Sequence, residues 1–150
     1  MSKKSVFLVI FILVLCVIIP AAAKTASAVI HVKVNGIRPK QGGNLIFALY
    51  NSKENWLVLK KIYASRVVKV TQDSLTVDFE NVSYGDSYAL FVFHDANENN
   101  KLDFSWFPFP HPKEGVAVSN NAVRMGEPIY DKARFAVNNP ECFIEIRMHY

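Results

Sequence analysis

Apolar and polar side chains alternate along most of this chain. Ile30, Val32 and Val34 interleave with His31, Lys33 and Asn35, the period of a strand with one face in a core and the other, His31 included, toward water. Leu75, Val77 and Phe79 against Thr76, Asp78 and Glu80 repeat the pattern in its cleanest form. Near the end Cys142, Ile144, Ile146 and Met148 share one face, and Phe143, Glu145, Arg147 and His149 the other. Residues 44–50 and 88–93 are instead apolar on both faces, which predicts strands covered from both sides. Residues 67–70 predict a further strand. The glycines and Pro39 within 36–43 mark a turn, and residues 51–61 lose the alternation around Trp56, where one helical turn fits.

Strands at this spacing, without the long helices that parallel crossovers require, predict an all-β fold. The expected architecture is a single antiparallel Greek-key β-sandwich of the transthyretin or immunoglobulin kind, with about seven strands over residues 29–150. Residues 1–28 predict a signal peptide: Lys3 and Lys4, an apolar run over 6–19, then Pro20 and three alanines. Cleavage fits after Ala28 or after Ala23. Removing residues 1–28 takes away three lysines and no acid, so the formal charge falls from +4 to +1. A nucleic-acid partner is therefore not expected. Nor is a stable membrane span once the signal is cut. Cys16 would leave with the signal, and Cys142, alone, reads as a small core residue.

Within residues 79–103, FENVSYGDSYALFVFHDANENNKLD, the chain resembles an exported bacterial β-sandwich family known only as domain of unknown function two-one-four-one. The likeness runs over the whole mature chain. It is carried by His94-Asp95-x-Asn97-x-Asn99-x-x-Leu102-Asp103, by Pro112-x-Glu114-Gly115 with Ser119-Asn120-Asn121, and by Gly126-x-Pro128 followed by Ala133-x-Phe135. Asn100 stands where the family commonly has glycine, and Phe109-Pro110-His111 replaces a plainer stretch. The turn before Tyr88 is also similar to the Gly-x-x-Tyr turn of transthyretin-like and collagen-adhesin B-type domains. The resemblance implies a sandwich fold and export, and no activity.

Two segments carry candidate chemistry. Asp95, Asn97, Asn99 and Asp103 place side-chain oxygens at alternate positions, with the Lys101 carbonyl between, copying part of a calcium loop. Asn100 suits the left-handed position such a loop needs. The same residues equally suit a turn held by local hydrogen bonds. Phe104 to Pro112, FSWFPFPHP, packs four aromatics and three prolines into nine residues, and the prolines forbid a central strand. Free exposure of so many rings invites aggregation, which favours a lid over the open end of the sandwich. Turned outward, Trp106, Phe107 and Phe109 would form a ligand-binding surface.

The expected role is that of an exported cell-envelope module, periplasmic or extracellular and non-enzymatic. It would bind an envelope protein or a glycan, or serve as a structural element, with calcium as the one candidate cofactor. The alternative is a metal-dependent enzyme using His94, Asp95, His111 and Glu114, which requires those four side chains to converge. Ser119 has no partner histidine at nucleophile spacing and reads as a turn residue.

Overall fold

The computed structural model describes residues 27–150; the signal peptide expected over residues 1–28 lies outside them, apart from its last two residues. Seven strands of three or more residues form two sheets: β1 (Ser27–Asn35), β2 (Asn44–Tyr50), β3 (Ala64–Lys69), β4 (Ser74–Ser83), β5 (Ser87–Asp95), β8 (Val116–Val118) and β10 (Glu141–Arg147). Three two-residue strands complete the set: β6 (Phe104–Ser105), β7 (His111–Pro112) and β9 (Phe135–Ala136). The smaller sheet has the order β10-β1-β4 and the larger β3-β2-β5-β8, with β9 beside β5. The chain therefore changes sheet repeatedly, as a Greek-key sandwich does. The pairing is antiparallel throughout except between β1 and β10, which run parallel with Val32 opposite Ile144. Beyond β10 the chain crosses to the larger sheet: Val116 and His149 exchange both backbone hydrogen bonds at 2.8 Å, which closes one side of the sandwich.

The alternating residues meet between the sheets. Ile30, Val32, Val34, Phe79 and Ile146 pack against Leu45, Phe47, Leu49, Leu90 and Val92 in one buried cluster. Their mutual burial is the main driving force for the fold. Cys142 packs against this core as a half-buried residue, and burial pushes its thiol up, away from the reactive thiolate. The second apolar face of β2 and β5 is covered as well. Ala48, Tyr50 and Ala89 lie under Trp56, Tyr130 and Ala133, which come from the loops after β2 and β8. Trp56 meets Tyr50, Phe91 and Tyr130 edge-on and donates its indole N–H to the Pro128 carbonyl at 2.7 Å.

The segment around Trp56 is a run of hydrogen-bonded turns, with a 3-10 turn at Leu59–Lys61. The strand expected at 67–70 begins earlier and is a sheet edge, where Val67 is 58% exposed. Its exposed Arg66 and Lys69 guard that edge against pairing with another chain. At the other margin Ala28 is buried and paired with Val82. A cut after Ala28 would therefore take two residues from β1, whereas a cut after Ala23 leaves the strand whole.

The turn between β4 and β5 is a tyrosine corner. Gly85 takes a φ of 87°, and the buried Tyr88 hydroxyl accepts the Ser83 N–H at 2.9 Å. Burial, assisted by neighbouring Tyr63, pushes the Tyr88 hydroxyl up to about 12. An unfolded tyrosine titrates near 10, so the folded state holds this proton more tightly. The stability it contributes is whole below pH 10 and is lost as pH rises toward 12. The unfolding midpoint is expected to fall over that interval and to fall less steeply in Tyr88→Phe. Tyr50, Tyr130 and Tyr150, raised by burial in the same direction, retain the remainder. Thermal unfolding of both proteins across that pH range checks this; equal slopes would refute it.

Candidate functional site

The larger sheet ends in a loop that carries a hairpin, and both are built from residues singled out by their type. His94 and Asp95 close β5 and are fully buried. The Gly42 carbonyl, 2.6 Å from His94 Nε2, can only accept, so Nε2 carries the proton and Nδ1 accepts from the Tyr150 hydroxyl at 2.8 Å. Tyr150 itself accepts the Arg38 N–H at 3.1 Å, with the Arg38 guanidinium 4.1 Å from its ring centre. Both ring nitrogens of His94 are thus occupied. Nothing in the residue pattern pointed to Arg38 or Tyr150, which lie 56 residues apart from His94 in each direction along the chain.

Asp95 turns its carboxylate into the loop that follows. Its two oxygens accept the Asn99 and Asn100 backbone N–H groups at 3.0 and 2.8 Å. Asn100 takes the left-handed conformation its type suits, with φ 60°, and Glu98 takes φ 61°. Asn97 and Asn99 each cap the residue two positions on, at 3.1 and 2.7 Å, and both donate amide hydrogens to Asp103. Glu114 reaches back across the hairpin: one oxygen accepts the Ala96 N–H at 3.0 Å and the other the Asp103 N–H at 3.2 Å. Glu98 pairs with Lys69 on the edge strand. The five residues of the calcium pattern, Asp95, Asn97, Asn99, Lys101 and Asp103, therefore lie in one loop whose side-chain oxygens are turned onto its own N–H groups.

The four residues of the enzyme alternative do not converge. His94 faces Gly42 and Tyr150, Asp95 and Glu114 hold different backbone groups, and exposed His111 donates from Nδ1 to the Phe109 carbonyl at 2.7 Å. Among the described residues no three histidine, cysteine, aspartate or glutamate side chains are gathered to hold a metal ion. Ser119 is buried, accepting the Leu90 N–H at 2.9 Å and donating to the Ala133 carbonyl at 2.6 Å. With Asn120 on the Arg134 carbonyl and Asn121 on the Arg147 N–H, it fastens the turn at Tyr130–Ala133 and the strand β10.

The aromatic segment departs from the lid expected of it. β6 and β7 pair Phe104 with Pro112 and Ser105 with His111, and the Lys113 N–H bonds the Asp103 carbonyl at their root. The result is a hairpin whose tip stands in solvent, with Trp106 77%, Phe107 86% and Phe109 70% exposed. At the end of β5 His94 is buried against Gly42 and Tyr150, and the exposed rings do not cover it. Shallow surface depressions lie elsewhere, one beside His31 and Phe143 and another beside Val123 and Ile129.

No curated protein and no solved structure matches the chain. A family model does match, over residues 32–144, which takes in the whole site from His94 to the Ser119-Asn120-Asn121 clamp: the chain belongs to DUF2141, a family described as uncharacterized protein conserved in bacteria.

Proposed function

We propose that the chain is an exported, non-enzymatic contact module of the bacterial envelope, and that its working surface is the tip of the aromatic hairpin. One observation carries this reading: Trp106, Phe107 and Phe109 are 70% or more exposed on a single turn. Large apolar patches on soluble proteins mark interaction sites. A buried core already complete without these rings leaves them no part in folding. The self-bonded loop at 95–103 is the bracket that aims the hairpin, and the basic, apolar and small-residue order of residues 1–28 is what supports export.

The test is cell fractionation of the tagged chain in a bacterium that encodes it, with the mature N-terminus read by mass spectrometry. The wild type is expected beyond the inner membrane and in the envelope fraction. The triple variant Trp106→Ser, Phe107→Ser, Phe109→Ser is expected to move to the soluble exported fraction with its unfolding midpoint unchanged. A wild type retained in the cytoplasm, or a triple variant that stays in the envelope, would overturn the reading.

A further inference from the structure

We propose that the surface met by this hairpin is a phospholipid bilayer, into whose interface the tip inserts. The inference rests on the contact-module reading above and names its partner. From Phe104 to Pro112 there is no carboxylate, ammonium, guanidinium or side-chain amide. A glycan platform would need such groups beside its rings to hold sugar hydroxyls, so the tip is poorly equipped for one. A protein interface ordinarily engages about 20–30 residues a side, and nine residues of projecting hairpin fall well short of that.

The backbone of the tip carries a reduced need for water. Polar main-chain groups entering an apolar phase must be absent or already bonded. Pro108, Pro110 and Pro112 have no N–H to satisfy. The Phe107 carbonyl accepts the Ser105 hydroxyl at 3.1 Å, and the Phe109 carbonyl accepts His111 Nδ1 at 2.7 Å. Tryptophan is enriched where hydrocarbon meets headgroups, because its ring is apolar and its indole N–H is a donor.

Two lysines at the root complement lipid phosphate. Asp103 and Glu114 are half-buried and turned onto amide and backbone N–H groups, Asp95 is fully buried, and Glu98 is paired with Lys69. Lys101 and Lys113 are exposed and enter no ion pair among the described residues. The unpaired charged side chains exposed beside the tip are therefore these two lysines, whose long stems can carry their ammonium groups to phosphates while the rings enter below.

The experiment uses the processed chain recovered from the exported fraction and two vesicle types, phosphatidylcholine alone and phosphatidylcholine with phosphatidylglycerol. Sedimentation is expected to show binding to both, several-fold tighter to the second. Trp106→Asp with Phe107→Asp should weaken it by about tenfold or more without lowering the unfolding midpoint. Lys101→Gln with Lys113→Gln should remove the preference for the anionic vesicles. Bromine-labelled acyl chains should quench the wild type and not Trp106→Phe, whose remaining Trp56 is buried in the fold. Vesicle binding that ignores the Trp106→Asp, Phe107→Asp substitutions overturns the proposal. If the wild type ignores vesicles while the triple serine variant still leaves the envelope, the bilayer falls and the contact module stands, its partner then being a protein or a glycan. If the triple variant also stays in the envelope, both fall.

Discussion

Alanine at Gly43 is expected to lower the unfolding midpoint by about 10 °C or more. Gly43 directly precedes β2 with a φ of 73°, and a Cβ built there would lie 2.2 Å from the Asp95 carbonyl oxygen and 2.6 Å from Ala96 Cα. Both are backbone atoms at the root of the loop and cannot swing aside. A left-handed non-glycine residue costs roughly 1–2 kcal/mol, and forcing atoms into occupied space adds about 1–3 kcal/mol. Gly42 supplies the control. It has a similar φ of 67° with nothing within 4 Å of a new Cβ, so Gly42→Ala should cost the backbone share alone. Equal losses in the two variants, measured by thermal unfolding, would mean that the close approach to Asp95 is immaterial. The same overlap should loosen the 95–103 loop, so proteolysis there ought to quicken in Gly43→Ala and not in Gly42→Ala.

Removing the Asp95 carboxylate should cost nearly as much. Hydrogen bonds to a charged acceptor contribute about 1.5–3 kcal/mol each, and Asp95→Ala deprives the Asn99 and Asn100 N–H groups of theirs. A loss of roughly 3 kcal/mol, or about 10 °C, follows for a chain of this size. Asp103→Ala should cost less, because that half-buried carboxylate accepts from the side-chain amides of Asn97 and Asn99, which can turn to water. The loop as folded spends its oxygens on itself, so both midpoints are expected to be the same in millimolar calcium and in chelator. A calcium-specific rise in the wild type, abolished in Asp95→Ala, would show the oxygens turning onto a cation and would overturn that account. Ligand binding to the folded state alone must raise the midpoint.

These two residues show how far residue types reach. Asp95, Asn97, Asn99 and Asp103 are legible as a turn or an ion loop from spacing alone. Where each carboxylate points is not in that spacing: Asp95 takes the Asn99 and Asn100 N–H groups, and Glu114 takes those of Ala96 and Asp103 from the far side of the hairpin. Gly42 and Gly43 read only as punctuation. Their closeness to His94 and Asp95 exists because β2 and β5 pair with Asn44 opposite Asp95, a register no local pattern encodes.

The strands themselves were written in the chain. Successive side chains on a strand point to opposite faces, so the alternation at Ile30–Val32–Val34 and Leu75–Val77–Phe79 declares which residues enter the core whatever pairs with them. The two-faced apolar runs at β2 and β5 likewise announce a second cover. What supplies that cover, Trp56 and Tyr130 from separate loops, depends on contacts between residues far apart in sequence, as does the parallel seating of β10 on β1. The aromatic segment marks the limit most clearly. A lid and a projecting tip have the same composition, nine residues rich in rings and prolines. Only the assembled sandwich, with His94 buried against Gly42 and Tyr150 and the hairpin aimed outward by the loop before it, decides that Trp106, Phe107 and Phe109 face the solvent.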